Sequence, residues 1–281
     1  AVEIEAARSR GVDVAADMYP YTAGGSGLEA TIPSWAFDGG MDSVRARIGR
    51  DDVRDRMKGE LVTGYEGWWN IVEAAVGWDG VVLVNARNDE NAHFEGKSIT
   101  QIAQEWGKDP ADAAWDLVAA GQGRVMAIYH MMSEEDVKWA LQRPWTSIGS
   151  DAGAALTPGS ADVLGLPHPR SYGTFPRVLG KYVRDEQVLT LAEAVRKMTS
   201  WPATRMRLDR RGVIREGAWA DITIFDLDRV SDQATYDEPV LFPVGIEYVL
   251  VNGEVVIEDG GTHTGARPGH VLYGPGKGSN R

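Results

Sequence analysis

Four short apolar runs within the first 150 residues, separated by helix-like segments, most constrain the fold. Each run has the length and apolar content of a buried strand: Gly11–Met18, Val81–Asn85, Arg124–Tyr129 and Thr146–Ser150. Strands that alternate with helices indicate parallel α/β units. A complete (β/α)₈ barrel needs roughly 250 residues. Residues 1–207 contain only three or four clear strand–helix units, fewer than the eight of a complete barrel. The pattern therefore predicts that the chain forms the later strands of such a barrel.

Capping residues and helix breakers mark the segments between these runs. Ser98 has a glutamine three residues later, which is a capping-box pattern, and Pro110 follows an aspartate at a second helix start. The charged segment 42–58 has a helical pattern. The glycine-rich stretch from Tyr19 to about Gly40 is predicted to be a loop, and Trp201-Pro202 is predicted to end a helix.

A change of pattern after about residue 208 indicates a second, smaller unit. Asp221–Asp226 alternates polar and apolar residues, as strands do. Tyr248–Ile257 consists of two β-like runs around Asn252-Gly253, the strongest short hairpin signal. We therefore divide the chain into barrel-like residues 1–207 and a small β-rich domain of residues 208–281.

Composition excludes several classes of protein. The formal net charge is −12, which is unfavourable for a nucleic-acid-binding surface and for contact with anionic lipid. No apolar run approaches the length of a membrane-spanning helix. There are no cysteines, so no disulfide or thiolate ligand exists, which fits a cytoplasmic protein.

The histidines do not form a recognisable metal motif. The five are His93, His130, His168, His263 and His270. None has a second histidine two or four residues away, so H-x-H and H-E-x-x-H pairs are absent from the sequence. A structural or surface role is the more common one for each lone histidine.

Asp151 is the residue in the best position for chemistry. It ends the apolar run TSIGS, and barrel enzymes place their catalytic groups at the carboxyl ends of strands. A carboxylate there can bind a metal ion or move protons to and from a water molecule. The alternative is an aspartate that caps the following turn.

Four further positions are candidates for a binding site. Arg170 can grip a carboxylate with two parallel hydrogen bonds, or it is an ordinary surface arginine. Tyr19 begins a segment of aromatics, hydroxyls and glycines that suits either a pocket or a plain loop. Tyr129 and Met132 bracket the end of a predicted strand, where core positions are more common than pocket positions.

Several motifs together resemble the N-acyl-D-amino-acid deacylases, or D-aminoacylases, of the amidohydrolase superfamily. The matching stretches are Asp17–Gly24 (D-x-Y-P-Y-x-A-G), Gly149–Asp151 (G-S-D), His168–Gly180 (H-P-R-x-Y-G-T-F-P-R-V-L-G), Ala194–Ala203, Arg211–Asp221 and Val249–Gly253. The first and third are fairly specific to this family, whereas the last two are widespread among amidohydrolases.

The resemblance implies a metal-dependent barrel with a small β-sandwich beside it. The implied reaction is zinc-dependent hydrolysis of an N-acyl-D-amino acid, with one or two zinc ions. Asp151 falls on the metal-site aspartate that moves the proton, and Arg170 falls where the family grips the substrate carboxylate. Tyr19 also contacts that end of the substrate, while Tyr129 and Met132 fall on positions that line the acyl or side-chain pocket.

One substitution in the matched motifs bears on the substrate. Many relatives have A-G-S-T after Tyr-Pro-Tyr, whereas this chain has Ala23-Gly24-Gly25-Ser26. Gly25 therefore lacks the substrate-binding hydroxyl expected there, and Ser26 is the candidate replacement.

The family's remaining zinc ligands are expected upstream of Ala1. We therefore expect a truncated part of the enzyme, inactive alone, that associates with the missing amino-terminal half or with itself. Two alternatives stay open. One is a cyclic-amide amidohydrolase of the dihydroorotase or hydantoinase kind, against which Arg170 argues. The other is a non-catalytic chain that binds a partner.

Overall fold

The computed structural model describes residues 1–121, 124–153 and 165–273 of the 281-residue chain. The α-helices are Val2–Ser9 (α1), Met41–Ile48 (α2), Asp51–Thr63 (α3), Ile71–Ala74 (α4), Ile99–Trp106 (α5), Pro110–Ala120 (α6), Glu134–Leu141 (α7), Arg170–Arg177 (α8), Leu191–Met198 (α9) and Ser200–Arg205 (α10). The strands are Ala16–Met18 (β1), Ala23–Gly27 (β2), Val81–Asn85 (β3), Met126–His130 (β4), Thr146–Ile148 (β5), Ile222–Phe225 (β6), Ile246–Val251 (β7), Glu254–Glu258 (β8) and Thr262–His263 (β9). Within these ranges no helix combines the length and apolar character needed to cross a membrane.

Strands β1 and β5 form a parallel pair, although more than a hundred residues separate them in sequence. The register runs from Ala16 opposite Thr146 to Met18 opposite Ile148. In the middle of the pair, the Ser147 hydroxyl donates a hydrogen bond to the Asp17 carboxylate. Because the strands are parallel, the residues that follow them emerge at the same edge.

The other strands of the first half form an antiparallel sheet in the order β2-β4-β3. The prediction of parallel α/β units is therefore wrong for these three strands and holds only for β1 and β5. The prediction of a loop from Tyr19 to Gly40 is also wrong, because Ala23–Gly27 pairs with Met126–His130 along its whole length. Hydrogen bonds to β4 hold this strand, and its low intrinsic strand preference concealed it in the sequence.

The main core lies between one face of this sheet and helices α2 to α6. Leu83, Ala127 and Tyr129 are fully buried on that face, and Trp115 of α6 packs in the same cluster. The predicted capping box at Ser98 is confirmed at the start of α5. The predicted helix over 42–58 is instead two helices, α2 and α3, separated at Gly49 and Arg50, where Arg50 has an extended conformation.

A second core cluster packs around β1 and β5. Ile148 lies against the π-helical segment Val178–Asp185 and against α9. Lys197 of α9 is 1% exposed and donates hydrogen bonds to the carbonyl of Arg143 and, at 2.8 Å, to that of Thr146. This buried ammonium ties α9 to the start of β5.

The chain continues as helix through Trp201-Pro202, where a helix end was predicted. The break lies at Thr199 (φ −129°, ψ −83°), and α10 begins at the next residue. Pro202 is tolerated because it lies in the first turn of α10, where its missing N–H is not needed.

The carboxy-terminal strands form a four-stranded antiparallel sheet in the order β6-β7-β8-β9. The hairpin predicted at Asn252-Gly253 is confirmed, with both residues at positive φ (50° and 88°), as a type I′ turn requires. Every residue in the four strands is half-buried or exposed, so within the described residues neither face of this sheet is covered by a core.

The segment that leads into α8 runs alongside β3. The Leu166 amide donates a 2.7 Å hydrogen bond to the Val84 carbonyl. Gly165 makes this approach possible, because it has φ 67° and a Cβ at this position would lie 2.1 Å from the same carbonyl oxygen. The contact fixes where α8 begins.

Gly165→Ala is expected to destabilise the protein more than Gly217→Ala. Both glycines have positive φ, which costs alanine roughly 1–2 kcal/mol, but Gly217 has open space around its Cβ position. Only the Gly165 substitution also breaks the hydrogen bond between the Leu166 amide and the Val84 carbonyl, which adds about 1 kcal/mol or more to the loss of stability. Denaturant titration of both variants measures the difference, and equal losses would show that the approach to β3 is not tight.

Candidate active site

A cavity of about 230 Å³ opens over the face of the three-stranded sheet that lies opposite the main core. Gly25 of β2 and Met126 and Ile128 of β4 form its floor, and the segment that precedes α8 forms one wall. Asp151 and Arg170 lie at its polar side. The cavity therefore combines an apolar interior with one pair of opposite charges, as small-molecule sites commonly do.

The polar side is an ion pair between Asp151 and Arg170. Asp151 follows β5 and has a left-handed backbone (φ 47°), a conformation that aspartate adopts more readily than most residues. An oxygen of its carboxylate lies 3.0 Å from Nη2 of Arg170. The Asp151 side chain is 70% exposed and that of Arg170 only 11%, so the carboxylate is open to solvent while the guanidinium is held in the fold.

Tyr19 supports the Arg170 guanidinium from the other side. The guanidinium carbon lies 4.6 Å from the centre of the Tyr19 ring, within the range of a cation–π contact. Burial raises the pKa of Tyr19, although the positive charge of Arg170 opposes that shift. The structure thus brings together Asp151, Arg170 and Tyr19, three residues predicted from distant parts of the sequence.

His168 is a fourth member of this group that the sequence did not single out. Its Nε2 lies 2.8 Å from the Ala23 carbonyl, and its Nδ1 accepts a 3.0 Å hydrogen bond from the Arg170 amide. The ring therefore carries its proton on Nε2 and joins β2 to the start of α8. Burial, reinforced by the charge of Arg170, lowers the pKa of His168 to about 4, so the ring is neutral at pH 7.

The signal for His168 was its place two residues before Arg170 in the H-P-R motif. A lone histidine is more often structural than functional, and here both ring nitrogens are occupied by backbone groups. Since no lone pair is free, His168 is unsuitable as a metal ligand in this arrangement.

Three other predicted site residues lie away from the cavity. Ser26 faces the side of β2 opposite to Gly25, and its hydroxyl lies 3.3 Å from Nη2 of Arg124. Tyr129 is fully buried in the main core and donates a 2.8 Å hydrogen bond to the Gly27 carbonyl. Met132 is 37% exposed and does not line the cavity. Their roles in substrate binding stay predictions.

The described residues do not form a complete metal site. Within residues 1–121, 124–153 and 165–273, no group of three histidine, aspartate or glutamate side chains is arranged to hold a metal ion. Asp151 could contribute one carboxylate ligand, but its partner in this chain is Arg170.

Comparison with known proteins identifies the family of the chain. The profile of the Amidohydrolase family matches residues 106–257, more than half of the 281 residues, and this range contains Asp151 and Arg170. The chain belongs to the amidohydrolase family.

Among curated amidohydrolase relatives, the N-acyl-D-glutamate deacylase of Alcaligenes xylosoxydans xylosoxydans is 38% identical over 269 residues. That alignment covers 96% of this chain and 43% of the relative. The D-aminoacylase of the same organism is 41% identical over 179 residues, which cover 64% of this chain and 34% of that enzyme. The chain thus spans about two fifths or less of the length of these relatives.

Solved structures show the same relationship. An N-acyl-D-glutamate deacylase from Bordetella bronchiseptica, in complex with zinc and a phosphonate inhibitor, matches with a TM-score of 0.66 and 33% identity. The match covers 91% of this chain and 42% of that one. A D-aminoacylase with a binuclear metal centre matches with a TM-score of 0.67 and 32% identity, over 94% of this chain and 44% of the other. This amidohydrolase chain therefore has the mixed α/β fold of those enzymes.

His168→Gln is expected to reduce the loss of unfolding free energy that occurs as the pH falls from 7 to 4. The pKa of His168 is about 4 in the folded chain and about 6.5 in an unfolded one, so the unfolded chain binds the proton first as pH falls. Stability that is present above pH 6.5 is therefore lost towards pH 4, by roughly 3 kcal/mol from this residue. Denaturant titrations between pH 7 and pH 4 should show a shallower fall for the variant.

His130→Gln is the comparison variant. Burial also lowers the pKa of His130, but the ring has no hydrogen bond to the described residues, and its centre lies 5.0 Å from that of the Tyr236 ring. We expect a smaller change for this variant. If the free energy of unfolding falls equally with pH in the wild-type protein and in His168→Gln, His168 is not held neutral by burial.

Proposed function

We propose that this chain is part of a zinc-dependent hydrolase of N-acyl-D-amino acids, and that Asp151 and Arg170 are its contribution to the active site. One observation carries the proposal. Asp151 follows β5 and Arg170 begins α8, yet the two side chains form an ion pair at one cavity, and Tyr19, which follows β1, supports the Arg170 guanidinium with its ring. The names of the related enzymes, which are deacylases of N-acyl-D-amino acids, support the same reaction.

Arg170 and Tyr19 are suited to bind the substrate carboxylate. The guanidinium is nearly buried and stacks on Tyr19, and the backbone N–H of Arg170 donates a hydrogen bond to His168. The arginine side chain therefore loses little conformational freedom when it binds a ligand. A carboxylate held there by charge-assisted hydrogen bonds places the adjacent amide near Asp151.

Asp151 is suited to move the proton. Its exposed carboxylate takes a proton from the attacking water as the oxygen bonds to the amide carbon. It returns that proton to the nitrogen as the C–N bond breaks, which leaves a carboxylate and a free D-amino acid. Zinc, when bound, supplies a Lewis acid for the carbonyl.

We propose that the remaining zinc ligands come from residues upstream of Ala1. No three ligand side chains among the described residues are arranged to hold a metal ion, and the chain covers 43% of the N-acyl-D-glutamate deacylase it matches; both support the proposal. One or two zinc ions are proposed by analogy with the zinc-bound and binuclear relatives.

We propose further that residues 1–207 belong to a (β/α)₈ barrel and residues 208–281 to a small β-sandwich. The parallel pair β1–β5 supports the barrel, since a barrel is built from such neighbours. The uncovered sheet β6–β9 supports a sandwich whose other half lies outside this chain. We place the protein in the cytoplasm, which the cysteine-free sequence allows.

The proposed partner is the amino-terminal part of the enzyme, with self-association as the alternative. Ile224, Tyr248 and Val244 expose apolar surface on and beside the carboxy-terminal sheet, and an uncovered sheet favours association. The acidic net charge of −12 argues against nucleic acid.

Asp151→Asn is expected to reduce kcat of the zinc-loaded enzyme on N-acetyl-D-leucine by roughly 10²–10⁴-fold, because the amide side chain cannot carry the proton. The control is Asp209→Asn, whose side chain is 84% exposed and paired only with its neighbour Arg210. Ninhydrin detection of free amino acid measures both. Retention of wild-type kcat by Asp151→Asn would rule out the proton-transfer role.

Arg170→Met is expected to lower kcat/KM for N-acetyl-D-leucine by roughly ten- to a hundredfold, since one charged hydrogen-bond donor is lost. The same variant should change little with N-acetyl-D-leucinamide, which has no carboxylate to bind. Arg207→Met, at an exposed position, is the matched control. Equal losses on both substrates would mean that Arg170 supports the fold and does not bind the carboxylate. Hydantoins are assayed in parallel, because opening of their rings would indicate a cyclic-amide hydrolase instead of a deacylase.

A further inference from the structure

We propose that Arg177 is a positioning residue for the candidate site, through which the β-rich domain of residues 208–281 helps to orient Arg170. The inference rests on the proposed function, because it assumes that Arg170 binds the substrate carboxylate. Arg177 ends α8, the helix that Arg170 begins, and it does not line the described part of the cavity. Its effect on the substrate is therefore indirect, through the residues that support Arg170.

Arg170 and Arg177 lie on one face of α8. Seven residues make about two turns, so the two side chains leave the helix on the same side, roughly 10 Å apart along its axis. The side chain of Arg177 is 24% exposed and that of Arg170 is 11% exposed. A charged side chain that is mostly buried needs partners, and those of Arg177 come from two other parts of the chain.

The first partner of Arg177 is the segment that follows β1. Its Nε donates a 2.9 Å hydrogen bond to the carbonyl oxygen of Pro20, a buried residue. The guanidinium also lies over the Tyr21 ring, 4.9 Å from its centre. Since Pro20 is the residue after Tyr19, these contacts hold the backbone directly beside the ring on which Arg170 stacks.

The second partner is Asp232, in the connection between β6 and β7. Nη1 of Arg177 lies 2.9 Å from an oxygen of the Asp232 carboxylate, whose side chain is 12% exposed. A charge-assisted hydrogen bond that is largely shielded from water is stronger and better ordered than an exposed one. Because Arg177 uses different nitrogens for its two partners, one guanidinium joins α8, the segment after β1 and the β-rich domain.

Two glycines let the same connection lie close to the helix. A Cβ on Gly173 would overlap the Tyr21 hydroxyl and would lie 2.9 Å from the Cβ of Asp232. A Cβ on Gly180 would lie 2.6 Å from the carbonyl oxygen of Val230. Larger residues at these places would push the connection and the helix apart. The contact is therefore continuous along the helix, and the ion pair of Arg177 is one part of it.

Loss of the Arg177 contacts should weaken substrate binding more than it slows the chemistry. Pro20 would lose its hydrogen-bond donor, and the Tyr19 ring would be held less firmly against the Arg170 guanidinium. Asp151 follows β5, whose register with β1 does not involve Arg177. We therefore expect KM to rise and kcat to change little.

The test compares Arg177→Met with Arg184→Met in the zinc-loaded enzyme. Arg184 is a matched control, because its side chain is 27% exposed and it holds the same connection through the carbonyls of Leu227 and Val230. For Arg177→Met we expect KM for N-acetyl-D-leucine to rise roughly three- to tenfold, with kcat within about twofold of wild type. KM for N-acetyl-D-leucinamide, which lacks the carboxylate, should change little. Arg184→Met should leave both KM values unchanged, whatever its effect on stability.

Asp232→Asn tests the part of the β-rich domain with little change in side-chain shape. On its own it should raise KM for N-acetyl-D-leucine roughly two- to fivefold. Added to Arg177→Met it should have no further effect on KM, because both substitutions break the same connection.

Hydrogen exchange gives a readout that does not depend on activity. In Arg177→Met, peptides that cover residues 19–24 should exchange at least about threefold faster than in wild type, because their anchor to α8 is lost. The same peptides should keep the wild-type rate in Arg184→Met. A general loss of stability would raise exchange in both variants.

An unchanged KM in folded Arg177→Met, or an equal rise in Arg184→Met, would overturn this inference and leave the deacylase function standing. Additive effects of Arg177→Met and Asp232→Asn on KM would remove the β-rich domain from it. If thermal unfolding shows that Arg177→Met does not fold, Asp232→Asn decides alone, and an unchanged KM again overturns the inference. Failure of the wild-type enzyme to hydrolyse N-acetyl-D-leucine contradicts the proposed function itself, and with it this inference.

Discussion

The parallel pairing of β1 with β5 is the interaction on which the candidate site depends. It joins two segments that are far apart in the sequence and brings their carboxyl ends to one edge. Tyr19 follows the first strand and Asp151 follows the second, so the pairing determines that they are neighbours. The segment between them folds as a separate antiparallel sheet with its own helices and closes one side of the cavity. Buried Lys197 then holds α9 against the start of β5, away from the site.

The electrostatics of the site follow from what surrounds Arg170. Its guanidinium is nearly buried, lies on the Tyr19 ring and is balanced by the exposed carboxylate of Asp151. Its backbone is held by a histidine that burial keeps neutral. The charge of the nearly buried guanidinium is therefore offset by a carboxylate that solvent can reach.

The parts of the structure that sequence could predict are those set by local chemistry. The cap at Ser98 and the hairpin at Asn252-Gly253 depend on residues within a few positions of one another. Asp151 could be placed because an apolar run ends at it, and Arg170 and Tyr19 because they lie in motifs of a known family. β2 could not be predicted, since its glycine-rich sequence becomes a strand only through hydrogen bonds to β4, about a hundred residues away. The same holds for His168, whose two partners are backbone groups on different elements.

The stereochemistry of the product tests the proposed deacylase function most directly. Racemic N-acetyl-leucine is incubated with the zinc-loaded enzyme, and the released amino acid is separated by chiral chromatography. We expect D-leucine as the product and N-acetyl-L-leucine recovered intact. Release of L-leucine at a comparable rate, or opening of hydantoins without hydrolysis of either N-acetyl-leucine, would contradict it.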